Sequence, residues 1–366
     1  MKIVHISYVA NNDYVDPGRW LKRIDYFVML LTAMAKYGEV INIHFIGHEG
    51  ILIKEKVTYH FFKCGRLERW FPLRIHQYVK NLKPDVIIVH GLIFAFQVWQ
   101  LHWYVGKHAK IVAQHHAEKP VKGFRKLFQK QVDPWILAYF FASKEFGNEW
   151  IRQRLIGSPN KITEVMEVPS VFYPMDRNQA KRETHTGSDP VYLWVGRLDK
   201  NKDPLIVARA FIEFLNAHPM AKLYMIFQST ELLFELNAVI QKAVIPHDSI
   251  TLVGQVEHDA LIHWYNSSDF IISSSHYEGS GIAICEGMSC GCIPVVTNIP
   301  SFRMMTNNGQ IGIIYQSGRV DDLVSALSAS VTIDVETERQ KTLTWHENEL
   351  SAQAIANKIH QRLSSL

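Results

Sequence analysis

Residues 271–296 read I-I-S-S-S-H-Y-E-G-S-G-I-A-I-C-E-G-M-S-C-G-C-I-P-V-V. A short apolar run ends in serines, as a buried strand does. A loop follows, Tyr277-Glu278-Gly279-Ser280-Gly281, then a helix over 282–289 closed by Gly291. A second apolar run spans 292–297. Strand, glycine loop, helix and strand form a βαβ unit, the building block of a parallel sheet. The loop delivers the chain to a helix N-terminus, where unpaired amides and the helix dipole favour an anion such as phosphate. Gly279 and Gly281 let the backbone approach a ligand.

Glu278 lies in the loop and Glu286 in the helix, with seven residues between them. Glu286 sits among Ile284, Cys285 and Met288, a costly place for a carboxylate unless it is paired or meets a ligand. This spacing suits two acids that hold vicinal hydroxyls of a sugar. It equally suits a solvated loop acid and an acid that caps a packing contact.

The pattern S-x-x-x-E-G-S-G-x-x-x-x-E-x-M-x-x-G-x-P-V-V resembles the signature of glycosyltransferase family four, retaining enzymes of the GT-B fold. Ser280 stands where that family has an aromatic residue. The resemblance implies that Glu278 contacts donor-sugar hydroxyls. It also implies that the amides of Gly279, Ser280, Gly281 and Ile282 meet the sugar or phosphate, and that Glu286 holds the ribose.

The resemblance extends along the second half. The segment Val195-Gly196-Arg197-Leu198-Asp199-Lys200-Asn201-Lys202 leaves a strand at 191–195 and precedes a helix starting near Pro204. Gly196 allows the turn. Two cations beside a helix N-terminus make a diphosphate clamp, and the family's matching Arg and Lys bind the donor diphosphate. Gly254, Gln255 and Val256 follow a short strand and resemble the segment whose backbone receives the nucleotide base.

In the first half the resemblance is thinner. Strands are expected at 2–9, 39–46, 57–63, 86–89, 110–114 and 162–168, and a helix at 20–36. Of the family's glycine-rich first loop only Pro17-Gly18 remains, so Gly18 is either a donor contact or a plain turn glycine. His116, at a strand end, matches the family's histidine near the reacting carbon, and His115 is one slip away. Residues 118–130 alternate basic residues with Phe124, Leu127 and Phe128. This pattern suits membrane contact, an acceptor lip, or a solvated helix with an ordinary core face.

With 366 residues the chain is long enough for two domains. Residues 1–170 hold 24 Lys and Arg against 14 Asp and Glu; the remainder holds 15 against 21. A basic first half suggests a domain facing anions, a membrane surface or an anionic lipid acceptor among them. No basic-aromatic nucleic-acid motif is present. The first residues read as a strand rather than a secretory signal, and Cys64, Cys285, Cys290 and Cys292 match no zinc or disulfide spacing. A cytoplasmic setting is therefore expected.

The resemblance implies two Rossmann-like domains facing each other across a cleft. The expected boundaries are 1–172 for acceptor binding, 173–348 for the nucleotide sugar, and 349–366 as a helix returning to the first domain; residues 173–190 form a linker. The expected activity is retaining transfer from a UDP- or GDP-linked sugar to a saccharide or lipid-linked hydroxyl. No D-x-D motif occurs, so the clamp is expected to work without a metal or other cofactor. His116, Arg197, Lys202 and Glu278 are the catalytic candidates. A sugar-nucleotide epimerase of similar fold and a non-catalytic sugar-nucleotide-binding partner are the alternatives.

Overall fold

The computed structural model of the protein describes residues 1–187 and 190–366; Ser188 and Asp189, at the end of the expected linker, lie outside the described residues. The chain divides into two compact units, residues 1–169 with 352–366, and residues 170–351. These boundaries fall three residues from the expected ones.

The first unit is built on eight strands: β1 (Lys2–Asn11), β2 (Glu39–Ile46), β3 (Gly50–Lys54), β4 (Val57–Phe62), β5 (Val86–His90), β6 (Lys110–Gln114), β7 (Ile136–Phe141) and β8 (Ile162–Glu164). Their order is β3-β4-β2-β1-β5-β6-β7-β8, and every pair is parallel except β3 with β4. Continuous apolar runs such as Val86–Val89 are buried, as strands covered on both faces must be. Apart from the edge hairpin of β3 and β4, chain order runs outward in both directions from the β1–β5 pair. In open parallel sheets ligands bind beyond the carboxyl ends of strands at that reversal.

Several first-half expectations are corrected. The helix expected over 20–36 is two helices, Pro17–Arg23 and Asp25–Met34, interrupted at Ile24. Gly18 lies in the first turn of the former, capped by Asp16 Oδ1, rather than in a loop. The exposed edge strand β3 went unforeseen, because all five of its residues are solvent-facing and carry no burial pattern. β8 stops at Glu164, leaving 165–168 irregular. In 118–130 only Arg125 onward is helical, within Arg125–Val132. Pro120 and Gly123, with φ +61°, keep the preceding residues irregular.

The C-terminal helix Ala352–Ser364 packs on helix Asp25–Met34 within this unit. Tyr37 stacks on His360 with 4.3 Å between centroids, and Gln353 Nε2 donates to Tyr37 Oη at 2.9 Å.

The second unit holds six parallel strands: β9 (Val191–Gly196), β10 (Lys222–Phe227), β11 (Ile250–Gly254), β12 (Phe270–Ser273), β13 (Ile293–Thr297) and β14 (Ile313–Tyr315), in the order β11-β10-β9-β12-β13-β14. Chain order reverses between β9 and β12. The core beneath combines Tyr192, Trp194, Phe211, Phe214 and Phe270, all buried. Residues 173–187 are not a free linker. They contain the helix Arg177–Thr184, which packs on helix Leu261–Ser267, and Arg177 pairs with buried Asp269. Asn266 Oδ1 accepts from the Met175 amide at 2.8 Å.

Candidate active site

At the β9–β12 reversal two loops meet above the carboxyl ends of adjacent strands. The loop 197–203 leaves β9 and the loop 274–281 leaves β12. They are tied together repeatedly: Asn201 Nδ2 donates to the Tyr277 carbonyl at 2.9 Å, the His276 amide donates to the Asn201 carbonyl at 2.9 Å, and Ser274 Oγ donates to the Asp203 carbonyl at 2.9 Å. His276 Nε2 and Asp203 Oδ2 are 2.9 Å apart. Lys202 and Glu278 form an ion pair at 2.5 Å, each largely screened from solvent. Gly196 lies against the Lys202 stem, with 3.6 Å from the Cβ it lacks to Lys202 Cδ. Arg197, exposed over 68 % of its side chain, pairs with Asp199 at 3.0 Å. An exposed guanidinium held this loosely can exchange a carboxylate for a phosphate.

The loop ends in Gly281, the N-cap of helix Ile282–Ser289, at φ +61° and ψ +51°. A Cβ there would sit 2.6 Å from the Phe302 ring, so both conformation and space demand glycine. No side chain caps the helix's leading amides among the described residues. Ser280 is buried and Ile282 is 39 % exposed.

Glu286 is buried one turn further on. Tyr265 Oη donates to its Oε2 at 2.8 Å, and His258 Nε2 lies 3.1 Å from its Oε1. Burial and the adjacent Glu286 hold the Tyr265 phenol well above its ordinary range, so it stays a donor. Two of the carboxylate's roughly four acceptor positions remain for a hydroxyl. Neither Tyr265 nor His258 was foreseen. Gly254 ends the edge strand β11 at φ +82°, with Gln255 and Val256 after it. Lys202 and Glu278 are thus paired, Arg197 and Gly281 lie on the two tied loops, and Glu286 is inside the helix that Gly281 caps; Gly254–Val256 lead from edge strand β11 to His258, which touches Glu286.

The first unit has its own polar centre at the β1–β5 reversal. A cavity of about 420 Å³ is walled by Trp20, Phe27 and Phe45 and floored by His90, His116 and Glu167. His116, past the end of β6, lines it, whereas His115 is buried against Phe141 at 4.6 Å. His116 Nδ1 donates to Glu167, and the His116 amide donates to Glu118 Oε2 at 2.6 Å. His116 Nε2 and His90 Nδ1 are 3.0 Å apart, and His90 Nε2 and His5 Nδ1 are 2.9 Å apart. Three imidazoles therefore form one row ending on a carboxylate.

Burial alone would lower His116. The hydrogen bond to Glu167 and the charges of Glu167 and Glu118 outweigh it and raise His116 above the ordinary imidazole value. His90 is driven well below that value by burial, then by His116, His5 and His44; His5 falls to about 3 through burial and His44. The row's charge therefore rests on His116. Both His116 ring nitrogens are engaged, so it reaches a sugar hydroxyl only by releasing His90. Glu167, 51 residues from His116, escaped the sequence reading because no local spacing links the two.

Residues 175–343 match the family described as "Glycosyl transferases group 1". A D-inositol 3-phosphate glycosyltransferase of Rhodococcus jostii is 25% identical over 188 residues, 48% of this chain and 40% of that protein. A GDP-mannose:cellobiosyl-diphosphopolyprenol alpha-mannosyltransferase of Xanthomonas campestris is 30% identical over 161 residues, 42% of this chain and 41% of that protein. The chain thus spans about two fifths of the length of these curated relatives. Among solved structures, Anabaena HepE in complex with UDP and glucose superposes with a TM-score of 0.72 at 14% identity, covering 100% of both chains. The chain has the two-domain GT-B fold. Over residues 175–343, a little under half of its length, the chain is similar to the glycosyl transferases group 1 family.

Proposed function

We propose that the protein is a retaining glycosyltransferase that moves a sugar from a nucleoside-diphosphate sugar to a hydroxyl of a saccharide or lipid-linked acceptor. The second unit holds the donor. One observation carries the reading: at the β9–β12 reversal Lys202 pairs with Glu278, which lies in the loop leading to the N-terminus of helix Ile282–Ser289, and Arg197 sits exposed on the loop tied to it. Two cations and a helix dipole stabilise charge growing on the leaving diphosphate. Lys202 bridges that charge and Glu278, whose second oxygen accepts from a sugar hydroxyl. Glu286, already oriented by Tyr265, takes the ribose hydroxyls.

In the proposed step the acceptor oxygen bonds to the anomeric carbon on the face the diphosphate leaves. The carbon–phosphate-oxygen bond breaks, and the acceptor proton passes to the departing phosphate oxygen. The clamp supplies positive charge from side chains, which supports a reaction without a metal or organic cofactor. UDP and GDP are the proposed nucleotides; the Xanthomonas relative's name specifies GDP-mannose and a diphosphopolyprenol acceptor. The basic surplus of the first unit supports a peripheral place at an anionic, cytoplasmic membrane face. Among the described residues no helix is long and apolar enough to cross a membrane.

The test is product analysis with the purified chain, UDP- and GDP-sugars, and a panel of saccharide and lipid-linked acceptors. Transfer releases nucleoside diphosphate and retains the anomeric configuration. Arg197→Ala and Glu278→Ala are expected to abolish it. Activity that survives both changes refutes the assignment, and nucleotide binding without any transfer favours a binding partner.

A further inference from the structure

A second cavity lies beside the histidine-floored one. It measures about 410 Å³ and is lined by Trp70, Ile93, Phe96, Phe124 and Phe128, with Arg69 and Arg125 at its rim. Ile93 and Phe94 line both cavities, so the two share a wall. The apolar walls are unusually open: Trp70 is 50 %, Ile93 42 % and Phe124 66 % exposed. Leu67, Phe71 and Leu127 extend the apolar surface at 80 %, 53 % and 69 %. Apolar surface left to water in this way marks a binding face.

The cavity is built rather than incidental. Gln97 Nε2 donates to the Arg69 carbonyl and Gln100 Nε2 to the Trp70 carbonyl, both at 2.8 Å, pinning the 65–72 loop to helix Ala95–Val105. Phe96 then touches Phe71 at 5.7 Å and Phe128 at 5.0 Å between centroids, joining the two walls. The surrounding charge is one-sided. Residues 63–74 and 118–130 hold nine Lys and Arg against two Glu, and Glu68 and Glu118 are both engaged in the fold. Arg69 and Arg125 are exposed.

We propose that this groove seats the apolar chain of a phosphate-linked lipid acceptor. Arg69 and Arg125 take the phosphate, and the linked saccharide reaches the neighbouring cavity of His90, His116 and Glu167. An apolar trough with cations only at its lip matches a molecule with a hydrocarbon tail, an anionic joint and a polar head. A flat bilayer surface would use the exposed apolar rim and the cations but not the trough. The assignment rests on the glycosyltransferase reading and names its acceptor class.

The probe is farnesyl diphosphate, titrated calorimetrically into the full chain, with inorganic diphosphate as the control. The variants Arg197→Ala and Lys202→Ala serve as background, so that the donor clamp contributes nothing. Farnesyl diphosphate is expected to bind at least tenfold more tightly than inorganic diphosphate. Trp70→Ala with Phe124→Ser is expected to erase that preference without lowering Tm, since both side chains are half exposed or more. Arg69→Gln with Arg125→Gln is expected to weaken the probe at least tenfold. Equal affinity for the two probes, or a preference unaffected by these variants, overturns the proposal. So does binding to phosphatidylglycerol vesicles without saturable farnesyl diphosphate binding, which would assign the patch to the bilayer surface. Nucleotide binding by the chain with Arg197 and Lys202 intact is measured separately, so failure of the donor site is told apart from failure of this groove.

Discussion

Replacing Gly281 with alanine tests the geometry of the donor loop. Two costs are readable from the structure. The left-handed conformation at φ +61° costs an L-residue roughly 1–2 kcal/mol. The new Cβ would lie 2.6 Å from a Phe302 ring that is 1 % exposed, so the ring must move by several tenths of an ångström within a packed core. Overpacking of that kind costs about 1–3 kcal/mol. The sum is about 2–5 kcal/mol. For a unit of this size it lowers the thermal transition of the second unit by about 5–15 °C. Asparagine tolerates the left-handed conformation but still carries the Cβ. Gly281→Asn should therefore recover the backbone part and keep the packing part. Both variants should also bind UDP or GDP more weakly, because the displaced loop precedes the helix amides proposed to receive the phosphate. The assay is thermal unfolding with and without nucleotide. A Gly281→Asn protein with wild-type stability would refute the packing argument. A Gly281→Ala protein with wild-type nucleotide affinity would refute the loop's place in the site.

Further outcomes follow from the buried polar groups. His116 is raised by Glu167, so its contribution to stability is complete below the unfolded imidazole value of about 6.5 and fades as pH rises through the raised folded value. Denaturant unfolding of Glu167→Gln should thus show its largest deficit near pH 6 and a shrinking one at higher pH, and the His116 imidazole resonance should titrate lower; a pH-independent deficit contradicts the pairing. His5 and His76, each held at about 3, and His346, at about 4, are neutral in the fold and charge on unfolding. Each removes about 1.4 kcal/mol per pH unit below about 6.5 until its folded value is reached, so stability measured from pH 6.5 to 4.5 should fall steeply, and a flat profile contradicts it. Tyr265→Phe removes the buried donor to Glu286 and should cost about 1–3 kcal/mol, with weaker nucleotide binding; unchanged unfolding and affinity would separate Tyr265 from the site.

The second unit was the more legible. The glycine loop, the helix 282–289 and the clamp residues lie in contiguous segments whose local chemistry is specific, and the structure stitches those segments together. Tyr265 and His258 were invisible because they reach Glu286 from a different helix and loop, across 21 and 28 residues. The segment 177–184 reads as linker because its sequence is almost wholly polar, and in the folded helix only Ala180 and Thr184 are buried. In the first unit, His5 lies within β1, His90 ends β5, and His116 and Glu167 lie past the ends of β6 and β8, positions that only the sheet order brings together. The basic stretch of 118–130 is visible in the sequence, but the outward exposure of Phe124 and Leu127 is not, because periodicity tells which residues share a face and not what covers it.

The central claim is that the second unit grips a nucleoside diphosphate by its phosphates. The direct measurement is the Kd of UDP and GDP, against uridine and guanosine, for the unaltered chain and for Arg197→Ala and Lys202→Ala. A charge-assisted phosphate contact is worth about 1.5–3 kcal/mol, so each change should weaken the preferred diphosphate by roughly 10- to 150-fold. The matching nucleoside should bind weakly and equally in all three proteins. Diphosphate affinity that survives both substitutions, or that does not exceed the nucleoside's, would contradict the account.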